Sequence, residues 1–328
     1  MPRFDHAFDW VRRNVDDGPL PTAVLGVATS AGVAALDAFG TERGREASVD
    51  DHYPLFSVTK PIVGLAALQL IEAGRLTAET PLDRAIPEFG ADRDDVVRLR
   101  HLVSHTSGII EPPMDTTTGL RPALLAPGRD FEAGSMSRYS TIAFEGIAAL
   151  IEHAGGSSWE QAVAAVGERV GASGLTLDAE ASPHEVVDAA EQSLDYARFA
   201  ALRQPGAGLL GRAEDLLALG SALLRNDGSL VSTLTVEAML RPLTAGLPKL
   251  EPYVASRGQD WGFTWNLRHS APGLLARDTY GHGGWAGAEF WITPSRDVCF
   301  VLLTNIGGGF TRFGVDADEL HNAVAAAA

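Results

Sequence analysis

A serine followed three residues later by a lysine, Ser57-Val58-Thr59-Lys60, opens an apolar-periodic stretch that runs to Ala73 and stops at Gly74. A serine hydroxyl is a weak nucleophile, and a neutral amine at i+3 lies on the same helix face and can take its proton. The start of a helix adds a positive field and amide hydrogens without intrahelical acceptors, which suit a developing oxyanion. Pro61 fits the first turn, where the missing amide costs nothing. Only two of the 26 basic residues are lysines, Lys60 and Lys249, and lysine, unlike arginine, can lose its proton in a buried site. Taken alone, the same four residues also fit an N-capping serine beside an unremarkable lysine.

Two downstream segments add to the pair. Ser137-Arg138-Tyr139-Ser140-Thr141 precedes a helical pattern and places a phenol and hydroxyls at a loop-to-helix junction, although Tyr139 alone also fits a packed aromatic. Tyr280-Gly281-His282-Gly283-Gly284-Trp285-Ala286-Gly287 opens a strand pair near the C-terminus. Its glycines let a ligand approach the backbone of an edge strand, whose N–H groups can face a carbonyl oxygen. Other patterns carry less. Gly206-Ala207-Gly208-Leu209-Leu210-Gly211 spells G-x-G-x-x-G with Asp227 beyond it, but a helix-like segment ending in Pro205 stands where a dinucleotide site needs a strand. His101 and His105 have metal-ligand spacing on a helix, yet residue 102 is Leu and no third ligand is evident, which favours a structural turn. The absence of a G-x-S-x-G elbow counts against an α/β-hydrolase.

The elements that must position these groups follow from periodicity. Phe4, Ala7, Phe8, Val11 and Val15 predict an amphipathic helix over 3–15 that lids a sheet. Ala23–Thr29 and Val33–Phe39 predict the first strands, joined at Ser30-Ala31-Gly32. Ser57–Ala73 predicts one buried helix closed by Gly74. Further helices are predicted over 95–104, 141–154, 158–170, 190–202 and 212–225, and strands over Trp261–Leu267, Ala288–Thr293 and Val298–Thr304. Pro294-Ser295-Arg296-Asp297 predicts the turn between the last two. A final helix is expected from about Asp316, with Glu319 completing a capping box. Strands at both chain ends and helices between them predict an α+β fold, with an antiparallel sheet flanked by helices and built from both termini. The expected division is a discontinuous sheet domain, 1–79 with 241–328, and a mostly helical insertion, 80–240.

Charge and composition exclude several classes. With 26 Lys and Arg against 42 Asp and Glu the net charge is −16, which repels phosphate backbones and anionic lipid, so no nucleic-acid partner is expected. Trp261, Trp265, Trp285 and Trp291 are accordingly read as strand and cleft packing rather than a base-stacking platform. The longest apolar run, Ile62–Ile71, is about half a membrane span and contains Gln69. The start, Met1 to Trp10, lacks the basic and apolar regions of a secretory signal, so a cytoplasmic location is expected. Cys299, the single cysteine, cannot close an intrachain disulfide.

Ser57-Val58-Thr59-Lys60, Tyr139-Ser140-Thr141 and His282-Gly283-Gly284, in this order, resemble the S-x-x-K, Y-x-N and K-T-G or H-x-G elements of the serine β-lactamase and DD-peptidase superfamily. The nearest resemblance is to its class C β-lactamase-like branch, which includes family VIII carboxylesterases and D-aminopeptidases. Arg100-His101-Leu102-Val103-Ser104-His105-Thr106-Ser107-Gly108 resembles the branch's R-x-L-L-x-H-T-S-G. Gly208-Leu209-Leu210-Gly211-Arg212-Ala213-Glu214-Asp215-Leu216 and Leu302-Leu303-Thr304-Asn305 resemble later segments, so the likeness covers about residues 20–310. It implies a covalent acyl-enzyme on Ser57, with Lys60 and Tyr139 as a coupled proton-accepting pair. Which of the two is the base stays open, because interacting groups titrate together. The resemblance further implies an oxyanion hole of the Ser57 and Trp285 backbone N–H groups, substrate contacts at Thr141, His282, Gly283 and Gly284, and no cofactor or metal.

Two departures bear on the substrate. Thr141 stands where β-lactamases carry an asparagine amide, and His282, mostly neutral at pH 7, stands where many relatives carry lysine. Both weaken recognition of an anionic β-lactam and suit a neutral ester. The expected activity is therefore a carboxylesterase on small to medium acyl esters. A D-aminopeptidase- or DD-peptidase-like amidase, a weak β-lactamase, an acyltransferase and a noncatalytic ligand-binding member are the alternatives. The loops Glu111–Arg129 and Pro242–Asp260 are expected to frame the cleft.

Overall fold

The computed structural model describes residues 4–252, 258–271 and 275–328. The first part of the chain forms α1 (Asp5–Asp16), β1 (Thr22–Thr29), β2 (Gly32–Glu42), β3 (Arg45–Glu46), β4 (Tyr53–Pro54) and α2 (Thr59–Glu72). A helical stretch follows: α3 (Leu99–Val103), α4 (Leu120–Leu124), α5 (Ala143–Gly155), α6 (Trp159–Glu168) and α7 (Tyr196–Ala201). Next come the short β5 (Leu210–Gly211), α8 (Ala213–Arg225) and α9 (Thr233–Met239). The C-terminal part supplies β6 (Asp260–Trp261), β7 (Asn266–Leu267), β8 (Tyr280–Gly283), β9 (Glu289–Thr293), β10 (Val298–Thr304) and α10 (Ala317–Ala327).

The main sheet is antiparallel, in the order β3-β2-β1-β10-β9-β8-β7-β6, so strands from the two ends of the chain meet at the β1–β10 pair. β1 is buried along nearly its whole length, and its alternate residues serve two cores. Ala23, Leu25 and Val27 pack with Trp10 and Val11 of α1 and with Leu320 of α10, while Val24 and Ala28 face the opposite layer. That opposite layer is one continuous cluster running from the sheet through α2, α5, α6 and α8. Helices on both faces therefore hold the sheet, as the pattern of end strands and central helices requires.

Several elements differ from expectation for identifiable reasons. Trp261–Leu267 is two short strands rather than one, because Thr264 takes a φ of +65° and turns the chain between β6 and β7. As a result β8, which carries His282, is not an edge strand but pairs with β9 on one side and β7 on the other. The helices expected over 95–104 and 190–202 shrink to α3 and α7, which end shortly before His105 and Arg203, at φ +58° and +47°. α4 and α9 are too short to leave a clear period in the sequence. Asp316 caps α10 by accepting from the Asp318 amide at 3.0 Å, but Glu319 takes the Trp10 indole N–H at 2.8 Å instead of closing a capping box.

Candidate active site

Ser57 occupies the middle of a single 3₁₀ turn, Phe56–Val58, that leads directly into α2. Every residue of α2 from Thr59 to Leu68 is buried, so this helix is a central post, and Lys60 is fully enclosed. Its Nζ donates to Ser57 Oγ at 3.0 Å, to the Gly206 carbonyl at 2.8 Å and to Thr141 Oγ1 at 3.3 Å. It also lies 4.7 Å from the centre of the Tyr139 ring and 5.3 Å from that of Phe144. Three acceptors satisfy an ammonium. A neutral amine in the same place keeps two N–H bonds, to Gly206 and Thr141, and turns its lone pair to the Ser57 hydroxyl. Burial drives Lys60 down to about 7 against the opposing pull of the Glu111 charge, so both protonation states are accessible near neutral pH.

Glu111, in the loop after α3, forms the far side of this pocket. Its carboxylate accepts the amide hydrogens of Thr141 at 2.9 Å and Ile142 at 3.3 Å, and Ser140 Oγ accepts that of Ala143 at 3.2 Å. Together they satisfy the free amides at the entry of α5 and so fix the Tyr139–Thr141 segment. Burial raises the Glu111 carboxyl above its ordinary value, opposed by Ser140, the Thr141 amide and Lys60.

Tyr139 presents a buried hydroxyl that has no hydrogen-bond partner among the described residues. Burial pushes this phenol far above its ordinary value, with the neighbouring Ser57 hydroxyl pulling the other way. Two imidazoles flank it. His105 has its ring centre 4.5 Å from that of Tyr139, and its Nδ1 accepts the Ser140 amide at 3.1 Å, so any proton on the neutral ring sits on Nε2. His282 lies 6.0 Å from Tyr139 and has the opposite tautomer, because its Nδ1 contacts the Gly283 carbonyl at 2.7 Å and must donate there. Nε2 of His282 is thereby a bare acceptor, buried and unpartnered among the described residues. Burial first, then the Lys60 charge, lowers His282 to about 3, so it is neutral.

The other wall joins strand to helix through a missing side chain. A Cβ on Gly284 would lie 2.5 Å from the Leu55 carbonyl oxygen. The chain leaving β8 therefore runs against the segment that leads into Ser57, and Ser57 and Trp285 both line the cleft. Neither residue's amide hydrogen goes to a protein acceptor among the described residues. Gly283 also lines the cleft, and a Cβ there would lie 3.2 Å from the Glu289 carboxylate, another lining group. Phe56 precedes Ser57 at φ +43°, a strained region for a bulky residue, and its ring is held between Phe199 at 5.0 Å and Trp285 at 5.2 Å. The cleft encloses about 310 Å³ and is lined by Ser57, Tyr139, Trp261, His282 and Trp285 among others. The structure thus brings Ser57, Lys60, Tyr139, Thr141, His282, Gly283, Gly284 and Trp285 together.

The family model described as Beta-lactamase matches residues 8–325, nearly the whole chain. The chain belongs to the β-lactamase family. It is 29% identical over 322 residues to Esterase EstB of Burkholderia gladioli, covering 80% of each chain. It is 27% identical over 361 residues to Penicillin-binding protein 4 of Amycolatopsis lactamdurans, covering 96% of this chain and 89% of the relative. Among solved structures, a family VIII carboxylesterase superposes with a TM-score of 0.80 at 20% identity, covering 100% of this chain and 98% of the other. The protein is therefore a serine hydrolase of β-lactamase fold, and none of its described helices is long and apolar enough to cross a membrane.

Three participants escaped the sequence reading. Glu111 was expected only as a loop boundary, although a lone acid between Ile109-Ile110 and Pro112-Pro113 was a usable signal. Gly206, set aside with the G-x-G-x-x-G pattern, supplies the carbonyl that Lys60 contacts, and its own Cβ would lie 2.7 Å from the Thr141 carbonyl oxygen. His105 packs directly on Tyr139, while His101 is occupied by Arg98 N at 3.2 Å and Arg100 Nε at 3.0 Å. Of the Pro242–Asp260 loop, Pro252 and Gln259 line the cleft, and residues 253–257 lie outside the described residues.

Proposed function

We propose that this serine hydrolase forms an acyl-enzyme through Ser57 and acts as a cytoplasmic carboxylesterase on small to medium acyl esters. The observation that carries the first half is the bonding of Lys60 Nζ to Ser57 Oγ, Thr141 Oγ1 and the Gly206 carbonyl. Ser57 Oγ attacks the ester carbonyl carbon while its proton passes to neutral Lys60. The oxyanion takes the N–H groups of Ser57 and Trp285. On collapse the C–O bond of the ester breaks, and the alcohol leaves with a proton from the Lys60–Tyr139 pair. A water then gives a proton to the pair, attacks the acyl carbon and frees the carboxylic acid, returning the proton to Ser57. Because burial holds Tyr139 in the phenol form, Lys60 is assigned as the group that starts deprotonated.

The ester half of the proposal rests on His282 and Thr141. A neutral imidazole with a bare Nε2 offers no charge to a β-lactam carboxylate, and Thr141 gives its hydroxyl to Lys60 rather than an amide to the substrate. Resemblance to an esterase supports this reading, while resemblance to a penicillin-binding protein keeps the amidase alternative in the test. Hydrolysis of p-nitrophenyl butyrate by wild type and Ser57→Ala, beside a chromogenic cephalosporin at equal enzyme concentration, decides it. Ester turnover abolished in the variant, with little cephalosporin cleavage, is expected. Dominant cephalosporin cleavage overturns the ester assignment, and no turnover of either favours a ligand-binding role.

A further inference from the structure

The Lys60 pocket contains one carboxylate for which the proposed acylation has no chemical step, Glu111. It stands 30 residues from Thr141 in sequence, yet its carboxylate accepts the backbone amides of Thr141 and Ile142. These amides lie two and three residues after Tyr139, whose ring packs on Lys60, and Thr141 supplies one of the hydroxyls that Lys60 contacts. Among the described residues, the titratable groups facing Lys60 are Tyr139 from the entry of α5, His105 and Glu111 from the segment after α3, and His282 from β8. Both imidazoles are neutral: burial lowers each, and Lys60 adds to it. Tyr139 is held as the phenol. Glu111 is thus the one negative group among them.

We propose that Glu111 is a positioning residue for acylation: it clamps the Thr141 and Ile142 amides so that Tyr139 and Thr141 stay in register with Lys60, and supplies the countercharge that Lys60 feels. The inference rests on the reading of Ser57 as the acylated residue. Two separable effects follow. Loss of the clamp lowers the rate through geometry, since a small misplacement at a proton-transfer pair is costly. Loss of the charge leaves burial unopposed, so Lys60 gives up its proton more readily and the acid limb of reactivity moves to lower pH. The carboxylate and ammonium titrate as a pair, so the limb reports both.

The test is the rate of Ser57 phosphonylation by a fluorophosphonate probe between pH 5 and 9, followed by intact mass. In that reaction a Ser57 O–P bond forms, the P–F bond breaks, fluoride leaves and the serine proton goes to Lys60. Glu111→Gln is expected to label about 10-fold or more slowly at pH 8, with its acid limb shifted down by roughly one unit. Glu111→Asp, which keeps the charge on a shorter arm, is expected to be slow with the limb unmoved. If Glu111→Gln does not fold, as judged by far-UV circular dichroism, Glu111→Asp against Glu111→Asn gives the same contrast of charge at fixed length. A neutral variant that labels at the wild-type rate, or slowly with an unmoved limb, overturns the proposal. Failure of the wild type itself to label removes the Ser57 reading and this inference together, whereas a labelled wild type with an unmoved limb removes only the inference.

Discussion

Two carboxylates, Glu111 and Asp95, take backbone amides from segments distant in sequence and behave in opposite ways. Asp95 meets the Arg93 guanidinium as a fork, at 2.7 and 2.8 Å, and also takes the Ala133 amide at 2.6 Å and an ion pair from Arg129 at 3.2 Å. Arg93 reaches on to the Ser107 carbonyl at 2.8 Å, tying this cluster to the segment that carries Glu111. Led by the Arg93 contact, these partners hold the Asp95 carboxyl far below its usual range. Glu111 has no guanidinium against it among the described residues, and burial pushes it up instead. The difference lies in the cation. Arginine cannot release its proton under these conditions, so the Asp95 cluster is a fixed fastening, whereas lysine can, which makes the Lys60–Glu111 pocket a place where protons move.

The comparison breaks if Lys60 is not the moving proton's acceptor. Lys60→Met is expected to lower kcat/KM for p-nitrophenyl butyrate by about 10⁴-fold or more. The thermal midpoint should change little, because the substitution also removes the cost of burying a charge. In wild type the acid limb of kcat/KM should lie near pH 7, activity falling as Lys60 becomes protonated. A variant that keeps more than about 1% of activity at pH 8 would assign the base elsewhere.

Tyr139→Phe comes next. The hydroxyl makes no hydrogen bond among the described residues, so its loss should cost no stability and can even relieve a buried polar group. Its chemical role predicts a fall in kcat of about 10² to 10³ with KM little altered. Unchanged kcat would reduce Tyr139 to a packing ring over Lys60.

Asp95→Asn probes the other member of the comparison. It should destabilise the protein by about 1 to 3 kcal/mol while kcat/KM at 25 °C stays within about 3-fold. The sign with pH is fixed by the lowered carboxyl: the stabilisation is fully present above pH ~4, the ordinary unfolded aspartate range, and is lost as pH falls through the folded value. Thermal midpoints of wild type and variant should therefore be separated at pH 7 and begin to converge only as pH falls below about 4. Equal midpoints at pH 7 would deny the cluster its fastening role.

How far these features were legible in the sequence depended on the range of the interaction. Ser57 and Lys60 were legible because their relation is one helical turn, and β1 and β10 because a continuous apolar run marks a buried strand. The β6–β7 hairpin was missed because Gly262 is the one turn residue in an otherwise apolar and aromatic run, and the residue at positive φ is Thr264. The interior place of β8 followed from that miss, because its second partner is only the two-residue β7. Glu111 was legible as a lone acid between apolar and proline pairs, but its partners were not. Its contacts to Thr141 and Ile142 span about 30 residues, and no periodicity in one chain encodes such a meeting.

Thr141→Val gives the smallest and most discriminating change. It removes one acceptor of Lys60 at 3.3 Å while leaving the Glu111 clamp, which grips the residue 141 backbone, untouched. Both states of Lys60 lose the Thr141 acceptor and keep Gly206 and Ser57, but the bond lost by the ammonium is charge-assisted and stronger than the one lost by the neutral amine. The charged form is thus selectively disfavoured, and the acid limb of kcat/KM should move down by a few tenths of a pH unit, with kcat lowered by about 3- to 10-fold. The direction matches that expected for Glu111→Gln, but the shift is smaller because a neutral hydroxyl is lost rather than a charge. A limb that moves upward would mean that the hydroxyl donates to a neutral Lys60 in the resting enzyme. The Gly206 carbonyl would then be the principal acceptor left to stabilise the ammonium.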